Sequence, residues 1–241
     1  MWIFLQERII ELFKNMIDKS RNTKFSEKEV NNIYKEVFRQ STVNSGFCYF
    51  DFGKEIYSKS FRQVMVNLKE SLSEICTTTL NKKLIYQSIG RFNHQNSSRF
   101  HRDTAENHSF LMLGYEPTKV DSKVYVADYS KYIEVQNIPL LHYFENDEAN
   151  NTIKNYDGLE PYITELNPFS KNHFRLLIVN NSKSFTEKTY GVFHRGEIPN
   201  KLEQENRVLN YMMLHLCDNL VEERYSNEIV NDFINTKLVN R

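Results

Sequence analysis

Two short stretches hold side chains that could do chemistry together. In Ser97-Ser98-Arg99-Phe100-His101-Arg102-Asp103-Thr104, an imidazole and a carboxylate stand two residues apart. In an extended segment both would project to one face, which suits two adjacent ligands of one metal ion. Far downstream, Tyr190-Gly191-Val192-Phe193-His194-Arg195-Gly196 carries a histidine at the end of an aromatic run. Arg207 then opens Arg207-Val208-Leu209-Asn210-Tyr211-Met212-Met213-Leu214. The spacing predicts that His194 and Arg207 are aimed from neighbouring strands. Each residue also has a plainer reading: His-x-Asp as a turn with an Asx bond, His194 as a hydrogen-bonding residue, Arg207 as a surface ion pair with Glu203 or Glu205. The coincidence of all four favours a metal site.

Two histidines and one carboxylate on one face of an octahedral metal form the facial triad of non-haem iron oxygenases, with three positions left open. The order His101-Arg102-Asp103, a long gap, His194, then Arg207 resembles the Fe(II)/2-oxoglutarate-dependent dioxygenases, and the resemblance runs from about Leu84 to Leu216. It implies that His101, Asp103 and His194 bind Fe(II), while 2-oxoglutarate chelates the iron and meets Arg207 through its distal carboxylate. Dioxygen would be the oxidant, with succinate and CO2 as products. Related halogenases replace the carboxylate ligand with a small residue, so Asp103 favours hydroxylation or a related oxidation. Family members often carry Ser or Thr two residues after the arginine. Leu209 stands there, so the second cosubstrate contact is open; Tyr115 is a candidate, a core tyrosine the alternative. Arg91 and Arg99 are weaker candidates for an acidic substrate group, solvated arginines being the alternative. No catalytic residue beyond the metal site is expected.

The elements that must position these residues divide the chain in two. From Trp2 to Ile17, apolar residues at three- and four-residue spacing predict an amphipathic helix. Ser26-Glu27-Lys28-Glu29 has capping-box form and predicts a helix start. Phe47 to Phe52 reads as a strand, and Phe61 to about Thr78 as a further helix. Beyond Lys83 the texture changes to short apolar runs: Leu84 to Phe92, Phe110 to Tyr115, Lys123 to Ala127, Phe174 to Val179, Tyr190 to His194 and Arg207 to Leu216. Such runs predict a sandwich or barrel. Residues 145–169 are polar and read as an insertion between strands, of the length that often makes a lid or binding loop. Asn219 to Leu238 predicts a closing helix. The expectation is an α+β chain of one domain, 1–241: helical flank 1–83, double-stranded β-helix or cupin-like jelly-roll core 84–216, C-terminal helix 217–241.

His94, His101 and His108 recur every seven residues and on a helix would share a face, but the surrounding Asn and Ser residues oppose a continuous helix. Composition narrows the partners. With 241 residues, 40% hydrophobic and 26% charged, the chain reads as globular. Lys plus Arg equals Asp plus Glu at 31 each, so no nucleic acid is expected as a bulk ligand. Cys48, Cys76 and Cys217 form no Cys-x-x-Cys pair and predict buried, reduced thiols. The N-terminal apolar run is broken by Glu7, Arg8 and Glu11 before signal or membrane-spanning length. A cytoplasmic location, no membrane and a small-molecule substrate are expected. Two alternatives stand beside this: a hydroxylase of a protein or carrier-bound substrate docking on residues 145–169, and a non-catalytic jelly-roll binding protein. The oligomeric state is open.

Overall fold

The computed structural model describes residues 16–18, 23–138, 157–166, 171–183 and 190–240. Nine strands, β1 Met16–Asp18, β2 Phe47–Gly53, β3 Lys82–Asn93, β4 Ser109–Tyr115, β5 Lys123–Ala127, β6 Ile163–Glu165, β7 Phe174–Asn180, β8 Phe193–Glu197 and β9 Val208–Asp218, form two sheets. The larger sheet has the order β1-β2-β7-β4-β9-β3, and the smaller β6-β5-β8. All pairs are antiparallel except β1 with β2. Among the described residues four α-helices accompany them: α1 Glu27–Val37, α2 Ser58–Leu80, α3 Tyr129–Gln136 and α4 Asn227–Asn235.

Period-two alternation sorts the large sheet's side chains into two layers. Cys48, Phe50, Phe110, Met112, Leu176, Ile178, Met212 and Leu214 face α1, α2 and α4. Their neighbours Phe47, Tyr49, Leu111, Leu113, Leu177, Val179 and Met213 face the small sheet and pack with its Val124 and Val126. The outer face of the small sheet is covered by Tyr129 and Ile133 of α3, against Phe193, Ala127 and Phe100. The layers are therefore helices, large sheet, small sheet, and a short outer helix. From β3 onward the chain alternates between sheets: β3 in the large, His101 bridged to β8 of the small, β4 in the large, β5 and β6 in the small, β7, β8 and β9 in turn.

Several expectations are corrected. The capping box is present, Ser26 Oγ accepting from Glu29 N and the Glu29 carboxylate from Ser26 N. Residues 2–15 of the N-terminal helix expectation lie outside the described residues, and its last two, Met16 and Ile17, belong to the strand Met16–Asp18 paired with β2. Edge pairing overrides the helical spacing there. The predicted strand ending at His194 begins at Phe193 instead, so His194 is its second residue. His194 and Arg207 do not come from neighbouring strands; β8 and the approach to β9 lie in different sheets. The described part of 145–169, residues 157–166, contains β6, too short to show a period. The closing helix is only Asn227–Asn235, capped by Ser226. Helix α3, capped by Asp128, has no counterpart in the sequence expectations. All three cysteines are buried. Among the described residues no helix is long and apolar enough to cross a membrane.

Leu177 on β7 is fully buried in the layer between the sheets. Leu177→Ala is expected to lower unfolding free energy by roughly 2–5 kcal/mol in urea titration. A loss below about 1 kcal/mol would mean that this layer does not pack as described.

Candidate metal centre

His101 and His194 meet through their backbones. Each donates its amide N–H to the other's carbonyl, at 3.1 and 3.0 Å. This reciprocal pair extends the small sheet beyond β8 and sets the two rings on one face, centroids 4.3 Å apart. His194 is also opposite Val126 of β5, which faces the interior, so both imidazoles point at the large sheet. Their neighbours point outward: Phe193 packs on Tyr129, and the Arg195 guanidinium lies over Tyr125 and Phe100.

The lead-in to β8 is held from below. Arg39, buried after α1, makes two 2.7 Å bonds to the Asp128 carboxylate and one of 2.8 Å to the Tyr190 carbonyl. At Gly191 a Cβ would collide with the Ser182 carbonyl oxygen, so this close approach of two backbones requires glycine.

Asp103 is fixed at three points. Its amide donates to Asn181 Oδ1 at 2.9 Å, and Asn181 Nδ2 donates to its carbonyl at 3.0 Å. Tyr211 of β9, across the interior, donates its hydroxyl to Asp103 Oδ2 at 3.0 Å. The other carboxylate oxygen, Oδ1, lies 3.2 Å from His101 Nε2 and 3.8 Å from His194 Nε2. One donor atom from each of the three residues falls within 4.8 Å of the others.

These residues fit a divalent metal. Bonds of about 2.1 Å to nitrogen and oxygen place cis ligands roughly 3 Å apart, near the separations seen. His101 Nδ1 is 2.8 Å from the Arg99 carbonyl; as the donor there, it leaves Nε2 to hydrogen-bond Asp103 when protonated, or to bind a metal once that proton is lost. Such a carbonyl partner is what orients metal-ligating histidines. Burial opposes the Asp103 anion, but the His101 bond, the two histidines and the Tyr211 bond together hold its carboxyl below the usual range. Burial and the neighbouring His101 and His94 pull the His194 imidazole down to about 4, against Asp103. An anionic carboxylate beside a neutral imidazole is the state in which ligands bind metal. Two histidines and one carboxylate with open positions are the donor set suited to non-haem Fe(II).

The triad lines a cavity of about 350 Å³, shared with Ser88, Phe92, His94, Tyr115, Arg207 and Tyr211. Arg207 is buried, its Nη1 donating to the His94 carbonyl at 3.0 Å and its guanidinium lying over the Tyr115 ring at 4.9 Å. Tyr115 also hydrogen-bonds to it. Among the described residues no carboxylate pairs with Arg207; Glu205 instead meets Lys119 at 2.8 Å.

The structure thus brings His101, Asp103, His194, Arg207 and Tyr115 together and separates two other candidates. Arg91 faces the helical side of the large sheet, buried against Glu116 at 3.0 Å. Arg99 is exposed and contributes its carbonyl. His94, His101 and His108 share no helix. Tyr211 and Asn181 were missed, and His94, singled out only in the seven-residue recurrence, lines the cavity. Tyr211 acts on Asp103 from a strand position that reads as ordinary core, and Asn181 from just beyond the end of β7, where its polar neighbours read as a turn.

The sequence matches no protein-family model and no curated protein. Solved structures do resemble the chain. The Kdo hydroxylase KdoO, a non-heme Fe(II) alphaketoglutarate dependent dioxygenase, in complex with succinate and Fe(III), aligns at TM-score 0.39 and 10% identity over 84% of this chain and 89% of that one. A taurine dioxygenase from Burkholderia xenovorans aligns at 0.43 and 10% over 84% and 85%. A variant of NvfI, an iron and alpha-ketoglutarate-dependent endoperoxidase, aligns at 0.39 and 12% over 72% and 79%. At such scores the chemistry must rest on this chain's own residues.

A group whose folded pKa lies below its unfolded value binds fewer protons when folded, so its contribution is full above about pH 6.5 and lost as pH falls. His194 has that sign, as does His94, lowered by burial and Arg207. His101 has the opposite one, because the Asp103 and Arg99 bonds outweigh the effect of burial. In chelator-treated protein, urea stability between pH 6.5 and 4.5 is expected to fall more steeply for wild type than for His194→Asn, by on the order of 2 kcal/mol. Parallel profiles would contradict the assigned burial of a neutral His194.

Proposed function

We propose that this chain is an Fe(II)- and 2-oxoglutarate-dependent oxygenase, one domain built on a double-stranded β-helix, that hydroxylates a small molecule. The alternation of strands between two facing sheets supports the fold. One observation carries the activity: a complete two-histidine, one-carboxylate set and a buried arginine with no carboxylate partner among the described residues share a single cavity.

His101, Asp103 and His194 would hold the iron. Bound together, iron and 2-oxoglutarate supply the oxidising power to insert oxygen from dioxygen into a C–H bond, with succinate and CO2 released. The protein's part is placement. A buried, unpaired guanidinium carries a desolvation cost of several kcal/mol, which an incoming carboxylate offsets. Arg207 would receive the distal carboxylate of 2-oxoglutarate through charge-assisted bonds. Tyr115, neutral because burial raises its pKa, would add a hydroxyl beside it, the contact that Leu209 does not provide. Phe92, Leu113 and Leu209 give this side of the cavity apolar walls, which exclude water from the open metal positions. Neither Arg91, paired with Glu116 on the helical side of the sheet, nor the exposed Arg99 lines this cavity, so the reading gives them no part in binding an acidic substrate group.

Anaerobic addition of Fe(II) and 2-oxoglutarate is expected to produce the visible charge-transfer band of the chelated cosubstrate. His101→Ala should abolish it. Arg207→Ala should require on the order of 10–100 times more 2-oxoglutarate, the loss of one charge-assisted contact. Wild-type protein with iron bound and no band would sink the cosubstrate assignment and favour a non-catalytic binding protein.

A further inference from the structure

We infer that Tyr211 is a positioning residue that makes Asp103 a one-atom ligand. The inference rests on the metal reading proposed above and concerns how that site keeps its coordination positions open. A carboxylate can bind a metal through one oxygen or two. With two histidines and a two-oxygen carboxylate, an octahedral metal retains two positions; with a one-oxygen carboxylate it retains three. A bidentate 2-oxo acid and dioxygen together need three.

The geometry separates the two oxygens of Asp103. Oδ1 faces Nε2 of both histidines, at 3.2 and 3.8 Å, whereas Oδ2 accepts the Tyr211 hydroxyl at 3.0 Å. Asn181 grips the Asp103 backbone at both its N–H and its C=O, which fixes the carboxylate's distance from the histidines on one side and from Tyr211 on the other. Asn181 is itself fully buried and bonded to Ser109 Oγ.

Tyr211 is equally constrained. Its residue pairs across the β3–β9 ladder with Gly90, and Phe92 packs edge-on against its ring at 6.0 Å. A Cβ at Gly90 would come within 2.7 Å of the Phe92 ring, so glycine there gives Phe92 the space to brace Tyr211. The hydroxyl is therefore delivered from the large sheet to a ligand carried by the segment that borders the small sheet. Burial and the adjacent Asp103 raise the Tyr211 pKa, and the phenol remains a donor.

Tyr211→Phe removes the hydroxyl and leaves the ring and its packing. The test is an anaerobic titration of both proteins with Co(II), followed by its d–d absorption, which reports coordination number and geometry independently of turnover. The variant is expected to bind Co(II) about tenfold more weakly, the range for loss of a partner behind a ligand, and to show a changed d–d spectrum as Oδ2 turns to the metal. An unchanged spectrum overturns the inference, whether or not affinity falls, because the hydroxyl then does not choose the binding mode. Wild-type protein that binds no Co(II) overturns the metal reading and the inference with it. Normal binding by both proteins with identical spectra overturns the inference alone.

Discussion

The reciprocal backbone hydrogen bonds between His101 and His194 are the constraint on which the site depends. They join a segment with no regular structure of its own to the edge of β8, and only in that register do both imidazoles face the interior. A slip of one residue would turn Phe100 or Arg102 inward and the histidine outward. Supports cluster behind this bridge for that reason. Ser98 Oγ accepts from the Gly196 amide and Ser98 N donates to its carbonyl, pairing the same two segments again farther along β8. Arg39 and Gly191 anchor the other end of β8. The two histidines of the candidate site are thus set facing the interior by backbone pairing.

Charge is arranged with similar economy. Asp103 is the anion at the centre, and it is compensated by hydrogen bonds and by two imidazoles rather than by a cation. Arg102 between the ligands turns away, its guanidinium meeting the Asn181 carbonyl. The buried cation of the cavity, Arg207, is stacked on Tyr115 and held by the His94 carbonyl, with no acid among the described residues to neutralise it. Arg39 and Arg91, equally buried, each have a carboxylate at 2.7 to 3.0 Å. An uncompensated buried charge is costly, so Arg207, with no carboxylate among the described residues, stands in contrast to Arg39 and Arg91.

The ligand set was legible in the sequence because His-x-Asp is a local pattern and an extended segment fixes its geometry. The capping box of α1 and most large-sheet strands were legible for the same reason: caps and period-two runs are short-range signals. What escaped depends on pairing across the chain. Gly90 looks like any strand glycine until β3 is set against β9, and Tyr211 like any core tyrosine until Asp103 is found opposite. Arg91 and Arg207 are alike in sequence, each opening or lying within an apolar run. Their sheet faces separate them, and the Tyr86/Ser88 irregularity in β3, which shifts the later alternation, cannot be read from composition.

The two histidines are not equivalent, and the difference bears on how the site would hold a metal. His101 Nδ1 has the Arg99 carbonyl as partner, so tautomer and ring orientation are settled before any ligand arrives. His194 Nδ1 is buried with no protein hydrogen-bond partner. Whichever ring nitrogen of His194 carries the proton, one polar atom stays unmatched, at a cost of about 1–3 kcal/mol. With metal on Nε2 the proton must sit on the unmatched Nδ1. His194 is therefore the ligand held by packing and backbone register alone, whereas His101 and Asp103 are held by hydrogen bonds. The bridge between His101 and His194 then serves both residues: it lends the unsupported ring the orientation that the supported one receives from Arg99.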